Sequence, residues 1–478
     1  MKKLIIGSGA ITALLLFFGT GLRPLWPLLW FAPAPILAIA PRLKPALAFG
    51  LATVAWFIGE LNLLKYLVGI DVPWLLILAS FLIPAIAFAL GVLLVRRFLL
   101  RGSLFCAALA LPLWWVTYEY ATESVSPHST YGNLGYTQMN FLPVIQIGAV
   151  TGIWGISFVV FLFAATVAIL LSGIGQNRQR RVLAVAVGIV LSAVFLFGAA
   201  RVRSTPAGQS VSIALIAKDV PMSVYLGSEQ QALDLFHEYA DEIRRAAPAG
   251  SDVIVLPEKI GRVSESSLPE IDALFSSVAR DVRAAIDLGL VRRTASAAFN
   301  SSRFYSAYGK FEANYDKHHL LRPVEPETAG DQRTLLDQPS GHWGLQICKD
   351  MDFPQLSRNY AADGVNLLLV PAWDFDLDRW LHARMAVLRG VENGFALARA
   401  GRNGLLTLSD NRGRILAERA TVPGQFVSIS GKIDIVHDQT FYTKAGNWFA
   451  WICVAGFFLL LIFAFSTTDH RFLIIKRI

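Results

Sequence analysis

The order of apolar and polar positions divides the chain into two regimes. Up to about residue 200 long apolar runs follow one another, each near the ~20 residues needed to cross a bilayer. They fall at 4–22, 25–41, 46–69, 74–95, 103–119, 144–174 and 182–200, and an eighth covers Trp448 to Phe465. The second run is short and rich in proline, which predicts a broken or re-entrant segment. The sixth is long and interrupted by glycine, and its first part fits the membrane interface. The first follows Met1-Lys2-Lys3 like a signal peptide, but no small-x-small cleavage site follows and further spans do, so it reads as an anchor.

A polar linker from Ser204 to Gly208 ends this regime, and strand and helix periodicities take over. Val211 to Ala217 alternates as a strand, and Ser228-Glu-Gln-Gln231 matches a capping box before a helix carrying Leu233, Phe236, Tyr239, Ile243 and Ala247. Val253 to Leu256 is an apolar strand ending at Pro257-Glu258, and Leu268 to Ile286 reads as a second amphipathic helix. Phe304 to Asp316 predicts a hairpin pivoting near Gly309, and Leu345–Ile347 and Asn366–Val370 predict buried strands. Arg379 to Glu392 reads as helix, Ala396 to Arg399 as extended chain, and Leu405–Ser409 with Gly413–Ala417 as a hairpin. This alternation predicts a layered α/β or α+β domain. The expected organisation is a seven-span bundle over 1–203, a soluble domain over 208–440, and a final span with a basic tail over 441–478.

Composition agrees. Of 478 residues 54% are hydrophobic and only 16% charged, which places the chain in the membrane class. The net charge of +8 is not a nucleic-acid signal, because the basic residues flank apolar runs. Thirteen Lys and Arg cluster near residues 2–3, 42–44, 96–101, 178–181 and 471–477, whereas the alternate loops hold only Arg23. That asymmetry predicts cytoplasmic termini and a soluble domain on the far side of the membrane, the periplasm of a Gram-negative cell. The loop from Tyr118 to Asn140 carries Glu119, Glu123, His128, Tyr131 and Tyr136 without Lys or Arg. It is either an exported loop with interfacial tyrosines or part of a lipid mouth. Glu60 and Lys65, near the third run, are either a functional pair or a helix-end ion pair.

Cys348 is the only cysteine outside the apolar runs, so an intramolecular disulfide in the soluble domain is excluded. It ends an apolar stretch, Gly344-Leu-Gln-Ile-Cys348, and is either a nucleophile or a packed thiol. Glu258 ends another such stretch, and Lys317 lies in Tyr315-Asp-Lys-His-His-Leu320. A carboxylate, an ammonium and a thiol together suit acyl transfer: the thiol attacks a carbonyl, the carboxylate moves the proton, and the ammonium stabilises the oxyanion. A nearby ammonium would also favour the thiolate. His318, His319 and His382 lack an HExxH pattern or an acidic cluster, so no metal site and no cofactor is expected. His319 is expected to position the lysine loop, and Trp373, Phe375 and Trp380 either line an acyl groove or pack in the core.

Four stretches carry a family resemblance. They are Leu256-Pro-Glu258, Phe299-Asn-Ser301 with Tyr315-x-Lys317-x-His319-Leu320, Ile347-Cys348 with Phe353-Pro354, and the segment Leu388–Glu392 with Arg399–Gly404. In order and context they resemble the nitrilase (carbon–nitrogen hydrolase) superfamily. The resemblance implies an α-β-β-α sandwich in which Glu258 is the base, Lys317 the oxyanion stabiliser and Cys348 the nucleophile, with Glu325 a bracing second glutamate. A nitrilase-like domain between a membrane bundle and a last span resembles the apolipoprotein N-acyltransferase family, as do Gly132–Gln138 and Pro143–Phe158 in the membrane half. That family implies a multi-pass protein of the bacterial inner membrane, acting as a monomer. It moves an acyl chain from a phospholipid donor to the N-terminal amine of a lipidated cysteine on a lipoprotein. An amidase or acyltransferase with another amine or amide substrate is the alternative, and a silent lipid-binding scaffold a third. Three departures flank the site: Lys349-Asp350 replaces Tyr-Glu, Lys259 replaces Thr, and Pro371-Ala-Trp-Asp-Phe375 replaces Asn-Asp-Ala-Trp-Phe. Lys259 and Lys349 either add positive charge for a phosphate or carboxylate, or are solvated.

Overall fold

The computed structural model describes residues 1–204, 208–436 and 438–466. The middle of the Ser204–Gly208 linker and the basic tail at 471–477 lie outside the described residues. The chain forms two compact units, one of Met1–Arg201 with the stretch from Asn447, the other Val202–Gly446.

Seven helices of the first unit are long and apolar enough to cross a membrane: Lys2–Gly19, Pro45–Gly69, Trp74–Leu100, Leu104–Val125, Ile153–Ser172, Asn177–Arg203 and Trp448–Ser466. The proline-rich run at 25–41 is two short helices, Trp26–Phe31 and Ala34–Ile39, because Pro33 and Pro35 cannot supply the N–H groups that would continue the first. The glycine-interrupted run likewise begins with two single turns, Leu142–Ile145 and Gly148–Thr151, before its long helix. Large apolar side chains such as Leu75, Leu196 and Phe465 point outward, as expected where lipid is the solvent. Aromatic rings fill the interior: Trp56 lies 4.7 Å from both Phe88 and Trp115, and Trp115 lies 5.0 Å from Phe161. Close helix approach uses small residues; a Cβ on Gly59 would sit 2.4 Å from Leu16 Cβ. The loop after Tyr118 is not a plain surface loop. Leu134 to Gln138 are buried, the Leu134 N–H donates to Glu119 Oε1 at 2.9 Å, and Trp30 Nε1 donates to Gln138 Oε1 at 2.8 Å.

The second unit is two sheets, each covered on its outer face by a helix pair. Its strands are β1 (Gln209–Lys218), β2 (Val253–Val255), β3 (Arg262–Ser264), β4 (Ala285–Arg293), β5 (Ala298–Tyr305), β6 (Phe311–Asp316), β7 (Leu335–Gln338), β8 (Gly341–Leu345), β9 (Leu367–Trp373), β10 (Ala396–Arg402), β11 (Leu405–Ser409), β12 (Ile415–Ala420) and β13 (Phe426–Ile435). One sheet runs β13-β1-β2-β4-β5-β6 with β3 on β4, the other β12-β11-β10-β9-β8-β7. In each, three central strands are parallel and the flanking strands antiparallel: β1, β2 and β4 in the first, β8, β9 and β10 in the second. Helices α1 (Glu229–Ala246) and α2 (Leu268–Val282) cover the first sheet, and α3 (Pro354–Ala362) and α4 (Arg379–Asn393) the second. Strand period two divides the core. Val211, Ile213 and Leu215 face the layer between the sheets, with Leu345, Leu369 and Leu408 opposite. Ala214 and Ile216 face Phe236 and Tyr239 of α1 and Phe275 of α2. Each such buried side chain contributes about 1.5–3 kcal/mol relative to exposure.

The predicted capping box at Ser228 is present, with Gln231 N–H donating to Ser228 Oγ and Ser228 N–H to Gln231 Oε1. The helix expected over 268–286 stops at Val282. Arg283 takes a left-handed conformation (φ +54°), and Ala285 already starts β4, whose apolar residues fill both faces of the sheet. The turn Phe441–Ala445 belongs to this unit, held by Thr440, whose hydroxyl donates to Glu392 O and accepts the Thr443 N–H.

Candidate active site

The parallel strands β2, β8, β9 and β10 all end on the same side of the sandwich, where α/β sheets present their reactive groups. Past β2 the chain turns at Pro257-Glu258 and crosses close over β4. A Cβ on Gly289 would lie 2.3 Å from Pro257 O, so only glycine allows this passage. Glu258 is 2% exposed, and its N–H points at Ala372 O of β9 at 3.4 Å. The β5–β6 hairpin delivers Lys317, whose N–H bonds Asn300 O at 2.8 Å. The Lys317 ammonium donates to Glu258 Oε1 at 2.8 Å and to Glu325 Oε2 at 2.9 Å. Asn300 Nδ2 joins the same two carboxylates, at 2.6 Å to Glu258 Oε1 and 3.0 Å to Glu325 Oε1.

Cys348 lies three residues past β8, at the first position of a tight turn, with φ +43°. A left-handed backbone at a non-glycine residue costs roughly 1–2 kcal/mol and aims the side chain out of the strand direction. Asp350 holds this turn. Its Oδ2 accepts the Ile347 N–H at 3.1 Å and the Tyr315 hydroxyl at 2.7 Å, and its Oδ1 accepts the His319 N–H at 2.8 Å. The His319 ring lies flat on Phe353, 3.6 Å between centroids. Asp350 and His319 thus fasten the Lys317 loop to the Cys348 turn. The half-buried thiol donates weakly to Trp373 O at 3.5 Å, and Glu258 and Lys317 both lie close enough to perturb its ionisation.

The electrostatics follow from burial and these neighbours. Burial alone would favour a neutral Lys317, but Glu258 and then Glu325 outweigh it and hold the ammonium pKa well above its ordinary value. Burial would raise Glu325 too; Lys317 and then Lys259 reverse this and keep it ionised, well below the usual carboxylate range. The thiol goes the other way: burial first, and then Glu258, push it well above the free cysteine value, and Lys317 only partly offsets them. The resting group is therefore a thiol. The ammonium does favour the thiolate, as expected, but burial and the Glu258 charge outweigh it.

Neither flanking lysine is solvated or available to a ligand's anion. Lys259 is 5% exposed and pairs with Glu325 Oε1 at 2.9 Å and Glu327 Oε1 at 3.1 Å. Lys349 is buried against Asp352 at 3.6 Å and the Phe353 ring. Behind the thiol, Asp374 pairs with Arg399 at 2.5 and 2.9 Å and lies 3.4 Å from His382 Nδ1. Burial disfavours the imidazolium, but Asp378 and Asp374 raise its pKa to about 9. His382 is thus a charged structural partner. Trp373 packs on the Arg402 guanidinium at 4.0 Å and on Tyr225, whereas Phe375 is partly exposed. Asn300 and Glu327 escaped the sequence reading; Asn300 stood inside the quoted Phe299-Asn-Ser301 stretch, but nothing local marks Glu327.

Two family profiles match separate parts of the chain. Residues 213–430 match the carbon-nitrogen hydrolase family, and residues 12–166 match the apolipoprotein N-acyltransferase N-terminal domain. The chain belongs to the apolipoprotein N-acyltransferase family of carbon–nitrogen hydrolases. Relatives agree along most of its length. An apolipoprotein N-acyltransferase of Geobacter metallireducens is 28% identical over 491 residues, covering 92% of this chain and 91% of the relative. One from Shewanella oneidensis is 26% identical over 390 residues, covering 72% and 71%. Among solved structures, an amidase of the nitrilase superfamily from Nesterenkonia is similar at 23% identity and a TM-score of 0.40, covering 47% of this chain and 92% of the amidase. Within the N-acyltransferase family, this chain carries its two-sheet hydrolase fold between apolar helices and places Glu258, Lys317 and Cys348 at one end of the sandwich.

Proposed function

We propose that this chain is a membrane N-acyltransferase of lipoprotein maturation, moving a fatty acyl chain from a phospholipid through a Cys348 thioester to the N-terminal amine of a lipidated cysteine. The grouping of Glu258, Lys317 and Cys348 carries this reading. Glu258 accepts the thiol proton as Sγ attacks the donor ester carbonyl. The C–S bond forms, and the Lys317 ammonium and neighbouring N–H groups hold the oxyanion. The ester C–O bond then breaks, and Glu258 returns the proton to the departing lysophospholipid oxygen. The acceptor amine enters next. It loses a proton to Glu258, attacks the thioester carbonyl, and expels the sulfur, which recovers that proton. One ester and one amine become one alcohol and one amide.

The enzyme sits in the inner membrane with residues 208–440 in the periplasm and both termini cytoplasmic, an orientation that the skewed Lys and Arg loops support. A reporter joined after Gly208 is expected to be active only when it needs export, and activity of a cytoplasm-only reporter there would contradict the orientation. The acceptor is tested by complementation of a strain depleted of its own N-acyltransferase. Growth with wild type and not with Cys348→Ala is expected. No growth, with the Cys348 thioester still formed, would replace the lipoprotein by another amine.

A further inference from the structure

Glu258, Lys317, Glu325, Lys259 and Glu327 form a row of alternating charges. Successive contacts are 2.8 Å, 2.9 Å, 2.9 Å and 3.1 Å, and all five residues are at least nine-tenths buried. The reaction accounts for the first three. Lys259 and Glu327 touch neither the thiol nor Lys317 in any of these contacts, yet they complete the row. Such burial of a second ion pair costs several kcal/mol per ion in desolvation unless each charge meets its opposite.

Both residues are held in place. Lys259 sits at φ +52° with its carbonyl fixed by Arg402 Nη1 at 2.9 Å. Arg322 donates to the carbonyls of Glu325 and Glu327, at 2.7 and 2.8 Å. Glu327 Oε1 also faces the Tyr225 hydroxyl at 3.5 Å, and its Oε2 is buried without a hydrogen-bond partner. Arg262, beside the Tyr225 ring at 5.8 Å, is the next cation outward. Lys259 is thus the one ammonium paired with Glu327 among the described residues. Glu325 also depends on it. Without Lys259 the one cation left on it among the described residues would be Lys317, beside the neutral donors Asn300 and the Leu321 N–H, and Glu325 would draw that ammonium away from a developing oxyanion.

We propose that Lys259 and Glu327 are a charge-balancing couple that positions the catalytic ammonium: Lys259 offsets Glu325 so that Lys317 stays available, and Glu327 offsets Lys259. This rests on the acyl-transfer reading of the site. The consequence is asymmetric. Lys259→Met strands Glu327 in a dry site, where it takes up a proton. Its folded-state pKa then exceeds the unfolded one near 4.3, so the compensation is complete at low pH and is lost as pH rises through the raised value. Lys259→Met/Glu327→Gln removes both charges, and with them this dependence.

The test uses the detergent-solubilised full chain and compares wild type, Lys259→Met, Glu327→Gln and the double variant between pH 5.5 and 8.5. Acyl-adduct formation on Cys348 from phospholipid vesicles and the melting midpoint are both followed. Relative to wild type, Lys259→Met is expected to lose about tenfold or more in adduct rate, and progressively in melting midpoint, as pH rises. Glu327→Gln is expected to follow the wild-type pH profile in both readouts; the double variant is expected to follow it in melting midpoint but to keep a loss of adduct rate, because Glu325 has still lost its Lys259 partner. A Lys259→Met profile parallel to wild type, or a double variant whose melting midpoint falls with pH as that of Lys259→Met does, would overturn the couple. If wild type forms no adduct, acyl transfer itself fails, and the melting profiles still decide whether the two charges are coupled.

Discussion

Glu258→Gln is expected to slow thioester formation by about 10²–10⁴-fold at neutral pH, with the fold intact. The amide matches the carboxylate in shape, and its oxygen can still accept from Lys317 and Asn300, as Glu258 Oε1 does at 2.8 and 2.6 Å. What it cannot do is take a proton. The resting sulfur is protonated, because burial and the Glu258 charge push the thiol well above its ordinary value. Without the base, reaction must wait for spontaneous ionisation. The variant's rate should therefore climb with pH up to the thiol pKa, while the wild-type rate is far less dependent on pH. Removing Glu258 also removes one cause of the raised thiol, so the climb begins lower than burial with an intact carboxylate would allow. Stopped-time mass analysis of the adduct across pH 6–9.5 checks this. A Gln variant as fast as wild type at pH 7 would remove Glu258 from the proton transfer.

Lys317→Met is expected to be worse, combining a catalytic and a structural loss. The ammonium is the cation that Glu258 and Glu325 share; Glu325 keeps Lys259 and the Leu321 N–H, so loss of the ammonium strands Glu258 beside Asn300. Breaking a buried pair from one side costs about 3–5 kcal/mol. Losing the oxyanion donor costs a further 10²–10³-fold or so in rate. Melting midpoint and adduct rate should both fall, and low pH should recover part of the melting loss, since protonating the stranded Glu258 relieves its repulsion with Glu325. Lys317→Arg keeps the charge but presents a planar fork, so it is expected to recover stability more than rate. A Lys317→Met protein with unchanged melting and turnover would contradict the shared-cation arrangement.

The sequence exposed the three groups proposed to react because each ends or follows a local pattern that stands out by itself. Glu258 closes an apolar run, Cys348 ends another, and Lys317 lies in a compact motif. The strands that deliver them, β2 and β6 of one sheet and β8 of the other, were inferable from their apolar and alternating runs, and the second sheet's parallel centre follows the expected strands. Other features depend on contacts between distant parts of the chain. Glu327 meets Lys259 across 68 positions, and Arg402 reaches the Lys259 carbonyl across 143. No window of sequence shows such pairings, and so Lys259 and Lys349 read as exposed or ligand-binding charges when they are buried ion-pair members. The overlong second helix has a different cause. Apolar spacing ran on through Ala285 and Ile286, and only the backbone reversal at Arg283 separates helix from strand.

The central claim is a covalent acyl intermediate on one sulfur. Intact-mass measurement of the solubilised chain after incubation with phospholipid vesicles, without acceptor, tests it most directly. The expected result is a mass gain of a single fatty acyl group on wild type, mapped to the Cys348 peptide and released by a primary amine. Cys348→Ala is expected to show none. An unmodified wild type, or an equal gain on Cys348→Ala, would contradict the mechanism.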